Sequence, residues 1–335
     1  MKQWNVGILG ATGVVGRQML KLLEERETPV GELRLLAGPR SEGERIRFRN
    51  GWLTAERAGE DSFSGLDAVL GAADEYISRR YAPAIRDSGA VYIDNSSAFR
   101  LEPEVPLVVP EINGEDALGH RGLIANPNCS TVITLMAIAG IHRLSPVERM
   151  TICTYQAASG AGKEGIRELE SQMIALTRGE KAEHRVFPAQ LAMNVIPHIG
   201  EEGPDGFTQE EKKLQNEGRR ILHAPDLKVC CTCVRVPVLR SHSIAVTLQT
   251  REPVSPEQAR EAVRLFPGCR LVEDRQGRNY PTPLDVTGQD LVWVGRIRRD
   301  PTDERGLCLW CCGDQIRKGA AANAVQILKL LAEKE

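Results

Sequence analysis

The run Gly10-Ala11-Thr12-Gly13-Val14-Val15-Gly16 lies between a strand pattern at 6–9 and a helix pattern at 14–23. A short apolar strand, a tight glycine turn and an amphipathic helix together allow few folds. The glycines let backbone come close to a pyrophosphate, and the first turn of the helix offers unpaired amide N–H groups. An ordinary strand-to-helix turn would also use glycine, but the strand before and the helix after favour a dinucleotide-binding loop. The pattern then continues as strand 33–37, strand 68–70, a helix at 82–87 stopped by Gly89, and strand 91–93. Alternation of strand and helix predicts a parallel, doubly wound sheet.

After about residue 128 the pattern changes. A helix is expected at 130–144, followed by longer strands at 150–156, 228–236, 243–249 and 292–298. These predict a second, α+β domain with a mixed or antiparallel sheet. Between them, 164–222 is polar and partly helical. Thr208-Gln209-Glu210-Glu211 has capping-box spacing and opens a helix to about 222. Ser255-Pro256 starts another helix at 256–265, and an Ala- and Leu-rich helix is expected at 318–331. The expected division is a nucleotide-binding domain at 1–128, joined by the returning segment 313–335, and a catalytic and dimerisation domain at 129–312.

The second strand decides which dinucleotide fits. A ribose 2′-hydroxyl calls for Asp or Glu at its end. Here the strand runs into Gly38-Pro39-Arg40-Ser41, and an Arg beside a hydroxyl suits a 2′-phosphate, so NADP is read over NAD. Arg40 as a merely solvated loop cation is the other reading.

Composition removes several classes of function. The 335 residues are 41% hydrophobic and 26% charged, which supports packed cores rather than disorder. Aromatics are 4% and the net charge is −2, so neither stacking platforms nor a basic surface for nucleic acid is expected. No window of about 18 apolar residues suggests a membrane span and no signal-peptide pattern opens the sequence, so a cytoplasmic location is expected. Nine cysteines include the spacings Cys230/Cys233 and Cys308/Cys311. Both pairs fall in strand-like runs, where positions i and i+3 point to opposite faces, so small apolar strand residues in a reducing compartment are read over a metal site.

One cysteine stands apart. Asn126-Pro127-Asn128-Cys129-Ser130-Thr131 places Cys129 at a helix N-terminus, a position that favours thiolate. Gln156 closes a strand and leads into the small-residue turn Ala157-Ala158-Ser159-Gly160-Ala161-Gly162. Arg235 and His242 bracket another turn. A His can serve a Cys nucleophile as acid or base, and an Arg can grip a carboxylate with two parallel hydrogen bonds. Glu210 and Lys213 share a helix face and alone would read as a solvated pair.

At these residues the sequence resembles the aspartate-semialdehyde dehydrogenase family. The likeness runs through the glycine loop, Asp94-Asn95-Ser96-Ser97-Ala98-Phe99-Arg100, Val109-Pro110-Glu111-Ile112-Asn113, Asn126 to Thr131, Gln156 to Gly165, Arg235 to Ser243, and Gly313-Asp314-Gln315-Ile316-Arg317-Lys318-Gly319. The resemblance implies a Rossmann-type NADP domain, a homodimer or dimer of dimers, and reduction of aspartyl phosphate to aspartate semialdehyde through a cysteine thioester. It makes Cys129 the nucleophile, His242 the acid/base residue and Gln156 the residue that orients substrate. Arg235 would hold the substrate carboxylate, Glu210 its ammonium group, and Arg100, Asn128 and Lys213 the phosphate. The cofactor would meet Gly10, Thr12, Gly13, Val14, Val15, Gly16, Arg40 and Ser41, with Ser159, Gly160 and Gln315 near the nicotinamide. The frame Glu217-Gly218-Arg219-Arg220 lacks the Lys and ranks below Glu210 to Lys213. Three positions depart from the usual family residues: Gly38 for Ser, Gln315 for Asn and Ile244 for Glu. N-acetyl-glutamyl-phosphate reductase, or a catalytically silent NADP-binding relative, are the rival readings.

Overall fold

A computed structural model describes residues 3–26, 28–273 and 277–334. Residues 1, 2 and 335 of the expected domains lie outside the described residues. The chain forms two compact units, Met1–Asn128 with Ala320–Glu335, and Cys129–Gly319.

The first unit is built in chain order from β1 (Trp4–Leu9), α1 (Val14–Glu25), β2 (Val30–Ala37), β3 (Arg45–Phe48), β4 (Gly51–Thr54), β5 (Glu56–Arg57), β6 (Ala68–Gly71), α2 (Glu75–Asp87), β7 (Val91–Asp94), α3 (Pro110–Asn113) and β8 (Leu123–Ala125). Its main sheet has the order β5-β2-β1-β6-β7-β8, with every pair parallel. β6 and β7 are buried at every position, as a sheet covered on both faces requires. The doubly wound parallel sheet expected from the alternation is therefore present. β1 lies where the strand order reverses, so the glycine loop after it opens at the topological switch point, where such sheets bind ligands. The terminal helix Ala322–Lys334 adds Val325, Ile327, Leu328 and Leu331 to the core of this unit and packs on α1.

Several expected boundaries shift. α2 begins at Glu75 rather than 82 because Asp74 caps it, accepting from the Ile77 amide at 2.9 Å, and the helix accommodates Pro83 in its interior. The last helix is preceded by a π-helical turn, Arg317–Ala321, and its α part starts at Ala322. The β3–β4 hairpin was not expected; its turn places Arg49 at φ 51°, a left-handed conformation with no Gly or Asn at that position to signal it.

The second unit contains α4 (Cys129–Leu144), β9 (Val147–Gln156), α5 (Gly162–Thr177), α6 (Gln209–Ile221), β10 (Lys228–Arg235), β11 (His242–Thr250), α7 (Pro256–Leu265), β12 (Cys269–Leu271), α8 (Pro283–Val286), β13 (Val292–Arg299) and β14 (Gly306–Gly313). The sheet order is β10-β9-β11-β14-β13-β12. β9/β10 and β12/β13 pair in parallel and the remaining pairs are antiparallel, so the sheet is mixed. The expected capping box forms at Thr208/Glu211, and Ser255 caps its helix as expected, with Gln258 completing a second box that was not. α4 is buried from Ser130 to Ile141 and packs on α6, α7 and the sheet. Alternation along β9 buries Met150, Ile152, Thr154 and Gln156 and leaves Thr151, Cys153 and Tyr155 exposed. The cysteine spacings follow the same rule: Cys230 is exposed and Cys233 buried, on opposite faces of β10.

Candidate active site

Strand register assembles the site. In the parallel β9/β10 pair, Arg235 is the direct partner of Gln156, and both are the last residues of their strands. β11 runs antiparallel to β9 with Ser243 opposite Tyr155, so His242, the first residue of β11, arrives beside Gln156. Each of the three is buried on its strand. Cys129 is the first residue of α4 and is half-exposed.

Ala157 orients two of these side chains with its own backbone. Its N–H donates to His242 Nδ1 at 3.0 Å, and its C=O accepts from Arg235 Nη1 at 2.7 Å. The neutral imidazole therefore carries its proton on Nε2, because Nδ1 is already an acceptor. His242 is fully buried, and its Nε2 has no hydrogen-bond partner among the described residues. Burial lowers its pKa to about 3; the Arg235 guanidinium adds to the shift, and Glu210 and a backbone contact at Ser241 oppose it. Burial also lowers the Arg235 pKa, against the attraction of Glu210 and Cys129. The turn after Gln156 closes over both: a Cβ on Gly160 would meet Arg235 Nη1 at 2.6 Å and His242 Cε1 at 3.4 Å, so a side chain there would displace the guanidinium.

A polar chain runs behind Gln156. The Thr154 hydroxyl donates to Gln156 Oε1 at 3.0 Å, Gln156 Nε2 donates to Glu210 Oε1 at 3.2 Å, and Lys213 Nζ sits 3.2 Å from Glu210 Oε2. Glu210 is 8% exposed, so the Glu210–Lys213 pair is no solvated surface pair. Ser159 and Gln315, both expected at the cofactor, bond each other, and Gln315 Oε1 also accepts from the Ser241 amide at 2.8 Å. Thr154 belongs to this network but carries no motif of its own; only register brings it in.

Arg100 and Asn128 lie in the first unit. Arg100 is buried, with Nε donating to the Asn126 carbonyl at 3.0 Å and Nη2 to that of Asn95 at 2.7 Å. Asn126 is held in turn by Asn95 and by Asn323 of the terminal helix. This fixes the segment that leads in sequence to Asn128 and Cys129.

The glycine loop fits a dinucleotide. A Cβ on Gly16 would lie 2.3 Å from the Gly10 carbonyl oxygen, so the loop can be this tight only with glycine. No side chain caps the first turn of α1, which leaves its amides for a phosphate. Beside it is a cavity of about 210 Å³ lined by Gly10, Ala37, Gly38, Pro39, Ala58 and Ile77, with Arg57 and Arg80 at its walls, a mainly apolar slot suited to a flat base. Arg40 and Ser41 lie in the short 3-10 turn at the end of β2, with Arg40 exposed. Arg57 and Arg80 had no sequence signal, because they reach the cavity from a two-residue strand and from α2.

Comparison with known proteins agrees over the full chain. The family model described as semialdehyde dehydrogenase, NAD binding domain, matches residues 5–120, and that described as semialdehyde dehydrogenase, dimerisation domain, matches residues 138–318. An aspartate-semialdehyde dehydrogenase of Synechocystis is 48% identical, over 98% of this chain and 97% of its own length. One from Aquifex aeolicus is 45% identical, over 98% of each. The crystal structure of aspartate semialdehyde dehydrogenase II from Vibrio cholerae, complexed with ASA, has a TM-score of 0.97 at 42% identity and covers 99% of both chains.

Proposed function

The chain belongs to the aspartate-semialdehyde dehydrogenase family, and from that premise we propose how its residues divide the work of the reaction. The activity is the NADP-dependent reductive dephosphorylation of L-aspartyl 4-phosphate to L-aspartate 4-semialdehyde, a step of amino-acid biosynthesis.

Cys129 is the nucleophile. Its sulfur bonds to the acyl carbon as the carbon–oxygen bond to phosphate breaks, which leaves a thioester and free phosphate. Bound NADPH supplies the hydride that reduces the thioester. His242 donates a hydrogen bond from Nε2 to the oxygen that carries negative charge in each tetrahedral intermediate, and collapse of the last oxyanion releases aldehyde and thiolate. Arg235 grips the substrate carboxylate and Glu210 its ammonium group, while Gln156 orients the acyl group. Lys213, Arg100 and Asn128 hold the phosphate. Gly10, Thr12, Gly13, Val14, Val15 and Gly16 would hold the nucleotide, Arg40 and Ser41 its 2′-phosphate, and Ser159 and Gly160 its nicotinamide.

The observation that carries this reading is the gathering of opposite charges at one buried place: Arg235 and His242 both bond the Ala157 peptide, Gln156 beside them bonds Glu210, and His242 Nε2 is unpartnered among the described residues. That set fits a zwitterionic amino-acid substrate next to a proton donor. It disfavours an N-acetylated substrate, which has no ammonium group to meet Glu210 and would press an acetyl group against a buried carboxylate. The test is phosphate-dependent NADPH formation with aspartate semialdehyde and with N-acetyl-glutamate semialdehyde. Faster turnover of the N-acetylated aldehyde would overturn the Glu210 assignment.

The dimerisation domain supports a homodimer, and we extend this to a pair of dimers. Among the described residues no helix is long and apolar enough to cross a membrane. The reading takes the enzyme to be cytoplasmic, without a nucleic-acid partner.

A further inference from the structure

We propose that Asp314 and Gln315 act as a clamp on Arg240 and Ser241 that presents His242 to the substrate, so that Gln315 influences the reaction by positioning His242. The proposal rests on His242 being the proton donor.

Ser241 has φ 76°, a left-handed conformation that a residue with a Cβ resists, and it is fully buried one position before His242. Strand pairing does not hold it there. The β11/β14 ladder ends with His242 opposite Gly313, and beyond that pair the side chains of the next two residues take over. Gln315 Oε1 accepts from the Ser241 amide at 2.8 Å, and Gln315 Nε2 donates to the Ser159 hydroxyl. The carboxamide is thus engaged at both ends within its own unit. The Ser241 hydroxyl has a further partner: the Thr287 hydroxyl donates to the Pro283 carbonyl at 2.8 Å, so its oxygen, 2.8 Å from Ser241 Oγ, accepts.

Asp314 anchors the preceding residue. It is fully buried, and its Oδ2 lies 2.8 Å from Arg240 Nη2 and accepts from the Gly288 amide at 2.7 Å. Its Oδ1 accepts from the amides of Ile316 and Arg317 at 3.0 and 3.2 Å. With both oxygens filled, Asp314 fixes the turn that carries Gln315. If Ser241 relaxed to negative φ, the chain entering His242 would turn and the imidazole would leave the Ala157 amide.

The test compares Gln315→Met, which keeps the length and removes both hydrogen bonds, with the double variant Gln315→Met/Ser241→Gly, in which glycine adopts positive φ without being held. The measurements are kcat, KM for NADP, and the NMR titration of His242 with isotope-labelled histidine. The expected result for Gln315→Met is a fall in kcat of about tenfold with KM for NADP within about twofold, and a His242 titration that moves up toward its ordinary range. The double variant should recover most of the loss. A raised KM for NADP with kcat retained would assign Gln315 to the cofactor and overturn the clamp, as would a kcat loss with no change in the titration and no rescue by glycine. His242→Asn is measured alongside. If it keeps full kcat, the proton-donor reading fails, while the titration still decides whether the clamp holds the ring.

Discussion

Gln156 donates its side-chain amide to Glu210 at 3.2 Å, a buried bond between residues 54 positions apart in the chain. The amide can point that way because Thr154, two residues back on the same face of β9, donates to its oxygen. Thr154→Val keeps the shape and removes that donor. The expected outcome is a kcat several-fold lower with thermal stability reduced by about 1 kcal/mol, and recovery with Thr154→Ser. Steady-state kinetics and thermal melts of the two variants check it; a Val variant with full kcat would remove Gln156 orientation from the account.

Cys129→Ala should abolish turnover and leave NADP binding intact. Limiting iodoacetamide should label Cys129 ahead of Cys153 and Cys230, although those two are exposed and Cys129 only half-exposed. Thiolate character at a helix N-terminus outweighs access here. Peptide mapping by mass spectrometry decides it, and preferential labelling of Cys153 or Cys230 would count against the nucleophile.

Arg235→Lys should be severely impaired despite keeping the charge. Arg235 spends Nη1 on the Ala157 carbonyl and retains the rest of its fork for a carboxylate. A lysine offers one point charge for both tasks. We expect kcat/KM for aspartate semialdehyde to fall about a hundredfold; a Lys variant within a few-fold of the parent enzyme would show that no bidentate grip exists.

Arg40→Ala should weaken NADPH binding roughly tenfold to a hundredfold and leave NADH nearly unchanged, since the lost contact is to the 2′-phosphate alone. Fluorescence titration with both cofactors measures the difference. Equal loss of the two would mean that Arg40 does not read the phosphate and would turn attention to Arg57 and Arg80 at the same cavity.

Stability should fall with acid. The native His242 pKa is about 3, against 6.5 for the free side chain. Above pH 6.5 neither state binds the proton and the stability is complete. Below it the unfolded chain takes up a proton that the native state refuses, so stability is lost as pH falls from 6.5 toward 3, at up to roughly 1.4 kcal/mol per pH unit. His142, also lowered by burial, acts in the same direction. Melting temperatures between pH 8 and 5 should decline, and the slope should be shallower for His242→Gln. An unchanged slope in that variant would show that His242 is not the group responsible.

The sequence determined whatever depends on neighbours along the chain. The glycine loop, the capping box at Thr208, the N-cap at Ser255, the strand-and-helix alternation and the helix N-terminus at Cys129 all act over a few residues, so their physics is written locally. The same reading named Gln156, Glu210, Arg235 and His242 through motifs, but it could not show them acting together. The distances that join them come from β9, β10 and β11, whose register is set by which faces are buried against α4 and α6. Contributions that no side chain in a motif announces became visible only there. Thr154 is one hydroxyl in a strand, Ala157 contributes only its peptide groups, and the left-handed Ser241 has no glycine to mark it. Glu210–Lys213 shows the same limit: three residues apart on a helix they read as a surface pair, and only burial beneath the site turns the glutamate into a charge that must be answered. Burial and non-local hydrogen bonding are properties of the packed chain, which is why the tertiary structure alone decided which of these polar side chains could do chemistry.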